Sequence, residues 1–351
     1  MGNEEIKAVL QNFPVPVDHI VIKPLSQGYI NRSFVIAYKD SPDFLLQQIN
    51  TKVFADVEAL MANMVRALPH LKAPNYTGPE LVYTKNGTSY LQTRNGGCWR
   101  LMTYVPDSAS YLYCKDLKTA GEAGRILGLF HNLMSKARPT EYLEFIPGFH
   151  SLELRKRQFD LAREEATPAR KRKAKKAIAY AQNTAESLLS WQDVSVPLRV
   201  CHNDTKMSNI LFSKKEGKAL CLVDLDTLMP GYFHCDFGDA LRTVVNPAPE
   251  DEKNLDKISF NRAYCEAFVS GLSSVGPLLS RQEIEHLPFG AQLMPFLHGL
   301  RALTDFLMGD VYYQVSYPDQ NLDRSLSLFR FAALAKEETP YLKEVIQKYL
   351  G

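Results

Sequence analysis

The segment Leu198-Arg-Val-Cys-His-Asn-Asp-Thr-Lys-Met-Ser-Asn-Ile-Leu-Phe constrains this chain more than any other. One apolar run delivers His202, Asp204 comes two residues later, and Asn209 five beyond that, where a second apolar run begins. A loop pinned between two strands in this way presents a carboxylate and an amide oxygen about a turn apart. Twenty residues after Asp204, the strand-like run Ala219-Leu-Cys-Leu-Val ends in Asp224, with Lys214-Lys-Glu-Gly as the preceding turn. Two strand ends joined by a tight connection are therefore expected to set Asp204 and Asp224 side by side.

The pattern H-x-D-x-x-x-x-N is that of the catalytic loop in kinase-like phosphotransferases, and the chemistry explains its spacing. Asp204 takes the proton of an acceptor hydroxyl, while Asn209 and Asp224 offer the hard oxygens that magnesium on a nucleotide triphosphate requires. Lys206 carries a cation to the transferring phosphoryl group. The first segment alone also fits a surface turn of ordinary polar residues, since short motifs recur by accident. Asp224 at the end of a second strand is what favours the catalytic reading. Asp236-Phe-Gly spells a metal motif of protein kinases but follows no strand, and Pro230-Gly231 intervenes. Asp236 is expected instead in a helix over 236–245, as a buried acceptor bracing the catalytic loop. Asp226 and Asp239 fit either supports behind the ligands or plain solvent and helix-cap aspartates.

The first hundred residues read as strands: 18–25, 33–38, 44–49, a hairpin of 81–84 with 89–93 around Asn86-Gly87, and 99–105. One helix interrupts them over 53–68, with Val57, Leu60, Met61, Met64, Val65 and Leu68 on one face. Beyond Pro106 the chain turns helical at 117–137, 152–189 and from Cys235 onward, with short strands at 198–201 and 219–223. The expectation is α+β with two lobes, a strand-rich N-lobe over 1–105 and a mainly helical C-lobe over 106–351.

Composition excludes little but is consistent with a globular enzyme, at 45% hydrophobic and 23% charged. With 41 basic and 39 acidic residues, the chain has no overall pull toward nucleic acid or anionic membrane. The basic run Ala169-Arg-Lys-Arg-Lys-Ala-Lys-Lys reads as a solvated helix face rather than a nucleic-acid patch, having no interleaved aromatics. Six scattered cysteines without a C-x-x-C pair suit a reducing, cytoplasmic setting. The acidic start, Ile6 in place of the Ser or Thr of a myristoylation signal, and the lack of a long apolar run point the same way.

At Gly28-Tyr-Ile-Asn, Leu45-Leu-Gln-Gln-Ile-Asn, Cys98-Trp-Arg, His202-Asn-Asp-Thr-Lys, Val223-Asp-Leu-Asp-Thr-Leu-Met-Pro-Gly, Asp236-Phe-Gly-Asp and Gly309-Asp-Val-Tyr, the sequence resembles the aminoglycoside phosphotransferase family. Within it, these segments are similar to those of the N-acetylhexosamine 1-kinases. The resemblance implies a protein-kinase-like bilobal fold with ATP and Mg2+ between the lobes, and phosphorylation of the anomeric hydroxyl of GlcNAc or GalNAc. It makes Asp204 the base, Asn209 and Asp224 the metal ligands, and Arg301 and Tyr312 sugar contacts, with Asp204, Asp224 and Tyr29 bordering the same sugar. It places Gly28 and Asn31 in a turn over the phosphates, and Thr103 and Val105 in the hinge beside adenine. Taken without it, Arg301 also fits an ion pair with Asp305, four residues on. Most kinases carry lysine on the third strand to grip the α and β phosphates, where this chain has Gln47 or Gln48 instead, as the sugar 1-kinases do. Other small acceptors (another sugar, an aminoglycoside, choline or homoserine) and an inactive binding module remain alternatives.

Overall fold

The computed structural model describes residues 2–25, 30–38, 43–190, 196–276 and 279–351. The expected phosphate turn, with Gly28 and Tyr29, and the Asp40-Ser-Pro turn lie outside the described residues. After α1 (Asn3–Leu10) come β1 (Val21–Leu25), β2 (Arg32–Ala37) and β3 (Phe44–Ile49). Then follow α2 (Val57–Ala67), β4 (Leu81–Val82), β5 (Leu91–Gln92) and β6 (Cys98–Thr103). The strands form one antiparallel sheet in the order β1-β2-β3-β6-β4, with β5 also on β6.

Alternation along the strands sorts this sheet into two faces. Leu46, Trp99 and Leu101 bury against Ile6, Val9, Leu10 and Phe13 on and beside α1. Ile49, Cys98 and Met102 face the other way, into the core that α2 joins. Gln47 and Arg100 lie directly opposite each other on that second face. The Asn86-Gly87 turn forms, with the Gly87 amide donating to Thr84 O at 2.8 Å. The expected hairpin does not: β4 and β5 each pair with β6 instead of with one another. The long buried run of β6 offers more ladder than either two-residue strand could offer the other.

The chain leaves the sheet at Thr103 and joins a second one at β7 (Ser108–Ala109); the proposed 105/106 division falls in this crossing. The C-lobe holds α3 (Leu117–Leu133), α4 (Leu152–Glu165), α5 (Pro168–Lys173) and α6 (Lys175–Leu189). Four short strands follow: β8 (Arg199–Cys201), β9 (Ile210–Ser213), β10 (Ala219–Leu222) and β11 (Met229–Gly231). The remainder is α7 (Phe233–Val244), α8 (Arg262–Ser273), α9 (Arg281–Met308), α10 (Gln320–Glu337) and α11 (Thr339–Leu350).

The strands behind the two key aspartates are not neighbours. β8 pairs with β11, and β10 pairs with β9, on which β7 also lies. The tight turn at 214–217 closes the β9–β10 hairpin, so the apolar run after Asn209 is itself the partner strand. Helix α7 presses close to α9: a Cβ on Gly238 would stand 2.0 Å from Gly290 O, and one on Gly290 would stand 1.9 Å from His234 O. Only glycine permits that approach, which sets the depth of α7 beneath the strand ends. The basic run splits between α5 and α6. Arg170 pairs with Asp310 at 2.9 Å, Lys173 pairs with Asp319, and Arg172, Lys175 and Lys176 remain exposed.

Candidate active site

Asp204 stands in the loop between β8 and β9, and the loop is braced entirely from the C-lobe. Buried Asp236 on α7 accepts the His202 amide at 2.8 Å and the Asn203 amide at 2.7 Å, and His131 of α3 bonds the same carboxylate at 3.0 Å. The bracing role expected of Asp236 is therefore observed; His131 gave no sequence signal, being a single histidine on an apolar helix face. Asn203 adopts φ +64°, and its side-chain amide donates to Cys201 O, Thr227 O and Met229 O. Asn tolerates this left-handed conformation better than most residues. Thr205 donates to Asp236 O at 2.6 Å, and the Met207 amide to Thr243 Oγ1 at 2.9 Å.

Lys206 Nζ lies 2.6 Å from Asp204 Oδ2, and Asn209 Nδ2 donates to that same oxygen at 2.9 Å. Asp204 Oδ1 has no described hydrogen bond and is left to meet a hydroxyl. Burial lowers the Lys206 pKa, but Asp204 and then Asp224 outweigh it, so the ammonium is held in its charged form.

The strand end after β10 turns sharply. Asp224 takes φ +64° and starts a single 3-10 turn, Leu225–Thr227. Several bonds tie this loop to the catalytic one: Val223 N to Asn209 O at 2.8 Å, His202 Nε2 to Val223 O at 2.9 Å, Thr227 Oγ1 to His202 O at 2.8 Å and Asn203 Nδ2 to Thr227 O at 3.0 Å. Asp224 as a residue is exposed, between the buried Leu222 and Leu225. Desolvation first, then the charge of Asp226, push its carboxyl up to about 7, with Lys206 opposing. Among the described hydrogen bonds, none reaches either Asp224 carboxylate oxygen or Asn209 Oδ1. Unpaired hard oxygens with an electrostatically loaded carboxylate fit a divalent cation.

Alternation separates the two glutamines. Gln47 faces the cleft side, donates to Ser33 Oγ at 3.0 Å, and accepts from Arg100 Nε at 3.0 Å and NH2 at 2.8 Å. Gln48 projects to the opposite face, lining a hollow with Glu5, Val9, Asn95 and Trp99. The expected place of Gln48 beside the nucleotide is therefore not met, because a side chain one residue along a strand cannot share the cleft with Gln47. Asn31 is occupied rather than open, donating to Asp226 Oδ2 at 2.5 Å and accepting the Asn50 amide at 3.0 Å. In the hinge, Thr103 exchanges backbone and hydroxyl bonds with Glu80, whereas no described hydrogen bond uses the Val105 amide. Val105, not Thr103, has a backbone donor to spare.

On the far side of Asp204, Arg301 of α9 donates to Phe149 O and sits 4.7 Å over the Phe149 ring. It does not pair with Asp305, which instead accepts the Val311, Tyr312 and Tyr313 amides. That caps the loop after α9 and holds Tyr312, 63% exposed, edge-on to Tyr313 at 4.9 Å. Arg155 of α4 joins this group, donating to Phe149 O at 3.0 Å. Burial, then Arg301, lowers the Arg155 pKa to about 10, leaving it charged at neutral pH. Arg155 Nε, Arg301 Nε and His150 Nδ1 are buried without partners. Sequence reasoning missed Arg155 and His150, because α4 reads as one charged surface helix.

An antiparallel N-terminal sheet over a helical C-terminal lobe, with strand-end loops meeting below it, is the kinase-like fold. The chain belongs to the phosphotransferase enzyme family, whose model matches residues 21–278. Solved structures of similar fold include the microcompartment-associated aminopropanol kinase, at TM-score 0.66 and 14% identity, covering 97% of this chain and 99% of that one. The choline kinase of Cryptosporidium parvum Iowa II matches at TM-score 0.65 and 13% identity over 99% and 98% of the two chains. An amicoumacin kinase in complex with AMP-PNP, Ca2+ and Ami matches at 0.63 and 12% over 95% and 93%. No helix among the described residues is long and apolar enough to cross a membrane.

Proposed function

We propose that this chain is an ATP-dependent kinase of a small hydroxyl-bearing molecule, and that its acceptor is the anomeric hydroxyl of an N-acetylhexosamine, giving the sugar 1-phosphate and ADP. The observation that carries the kinase reading is the convergence of unpaired oxygens: Asp204 Oδ1 on one strand end, and Asn209 Oδ1 with the Asp224 carboxylate beside it. Asp204 takes the acceptor proton as the acceptor oxygen bonds the γ-phosphorus and the bond to the ADP oxygen breaks. Lys206 keeps its charge beside Asp204 and faces the phosphoryl oxygens. Asn209 and Asp224 would hold Mg2+, which neutralises phosphate charge when bound. Val105 offers its amide to adenine and Gly28 would lie near the phosphates, whereas Asn31 is engaged by Asp226 and the Asn50 amide. An AMP-PNP and Ca2+ complex in a fold relative supports nucleotide and divalent metal.

The acceptor reading rests on charge. Choline and aminopropanol, named for two fold relatives, present a cation. Here the wall beyond Asp204 carries Arg155 and Arg301, so a neutral, oxygen-rich acceptor suits it better than a cation. Tyr312 and Tyr29 would border the same sugar. An inactive binding module is the weaker reading, because the full set Asp204, Lys206, Asn209 and Asp224 is present. A cytoplasmic setting belongs to this proposal.

The test is ADP release with ATP, Mg2+ and a panel of acceptors. Turnover is expected with GlcNAc or GalNAc and not with their 1-O-methyl glycosides. Turnover with choline or kanamycin alone would move the acceptor to the cationic class.

A further inference from the structure

Arg100 is the least expected charge in the molecule. It is 1% exposed, on β6, and it pairs with Asp226, itself 2% exposed and two residues past Asp224. Kinases place their N-lobe cation as a lysine on the third strand, paired with an acid on the neighbouring helix. Here β3 carries Gln47 at that face, and the guanidinium opposite it on β6 grips Gln47 through two nitrogens. On α2 it meets no acid but Met64, at 3.9 Å from the sulfur. Its acidic partner has moved off the helix, into the loop that holds Asp224.

The Asp226 carboxylate accepts from Arg100 with Oδ1 and from Asn31 with Oδ2. Asn31 lies two residues beyond Tyr29, at the end of the turn expected over the phosphates. A third N-lobe tie to this loop is buried Asn63 of α2, donating to Leu228 O at 2.9 Å. Asp224 sits between two restraints in a left-handed conformation, with Val223 bonded to Asn209 O on one side and Asp226 fixed by the sheet on the other. A strained carboxylate keeps its aim only while its surroundings over-determine it.

We propose that Arg100, acting through Asp226 and with Asn31, is a positioning residue that aims Asp224 at the nucleotide-bound cation and couples that aim to the N-lobe. This rests on the metal role proposed for Asp224. Stability does not account for the pair, since an apolar pair of similar size in its place is often as stable.

That equivalence supplies the test. In Arg100→Met/Asp226→Leu the buried charges are replaced together, and two quantities are read: the melting temperature, and the Mg2+ midpoint for binding of mant-ADP, which needs no acceptor. The double variant is expected to melt within a few degrees of the parent while its Mg2+ midpoint rises about tenfold or more, a loss of ~1.4 kcal/mol. A purely structural pair would move melting and leave the midpoint alone, so an unchanged midpoint overturns the inference. Should the double variant not fold, Asn31→Ala removes the other bond to Asp226 at a half-buried site. Its midpoint is expected to rise about threefold, ~0.6 kcal/mol; an unchanged value overturns the inference. Absence of Mg2+-dependent mant-ADP binding by the unaltered chain overturns the kinase reading itself, a separate outcome.

Discussion

Two loops meet at the cleft floor and are held in opposite ways. The catalytic loop around Asp204 is braced from its own lobe, by Asp236 with His131 behind it and by Thr243. The loop around Asp224 is shared, with Asp226 tied to Arg100 and Asn31, and Leu228 to Asn63, all from the N-lobe side. The difference teaches a division of labour. On the proposed roles, Asp204 and Asn209 keep one constant position set by the C-lobe, whereas Asp224 is the metal ligand that can follow a nucleotide gripped by the N-lobe. Because Val223 and Thr227 bond back to Asn209 and His202, the pull of the N-lobe on Asp226 reaches Asp224 directly and Asp204 only through those bonds.

The sharpest break of this comparison is Asp204→Ala. Turnover is expected to fall by about 10³-fold, in the range of a lost general base, with mant-ADP affinity retained in a binding titration. A comparable loss of nucleotide affinity would mean that the loops do not act separately. Asp236→Ala comes next. It leaves two buried amides and His131 without their acceptor, and is expected to cost ~3 kcal/mol in urea unfolding and, by loosening the loop that carries Asp204 and Asn209, to lower turnover more than it raises the Mg2+ midpoint. Gly238→Ala tests the same brace from below, because its Cβ would collide with Gly290 O. Moving α7 away from α9 is expected to cost ~2 kcal/mol and to lower turnover more than nucleotide affinity.

The smallest effect sharpens the other loop. The raised carboxyl of Asp224 binds its proton more tightly in the folded than in the unfolded chain. Between about pH 4 and 7 folding therefore takes up a proton, and metal-free stability rises as pH falls. Above about pH 7 the full cost of the charge is present. Asp224→Asn is expected to melt a few degrees higher than the parent at pH 8 without metal, and to lose that advantage near pH 4. It should also lose Mg2+-dependent mant-ADP binding. A variant that melts lower at pH 8 would show that the carboxylate is not under strain.

Local chemistry was legible where it is contiguous. The spacing of His202, Asp204 and Asn209, the carboxylate closing the Ala219–Leu222 strand, and the bracing part of Asp236 all stand in the sequence, because strand ends and short loops dictate which side chains emerge together. Faces of the N-lobe helix and strands followed from periodicity as well. What the sequence left open depends on partners far apart in the chain. Whether Gln47 or Gln48 enters the cleft is decided by which sheet face meets α2. That 81–82 and 91–92 pair with β6, and β8 with β11, is decided by competition among strand edges. The charge on Arg100 gains meaning only against Asp226, 126 residues away. Pairwise energies of this kind vanish in a single-residue reading, since a buried charge is tolerable only once the fold has supplied its counter-charge.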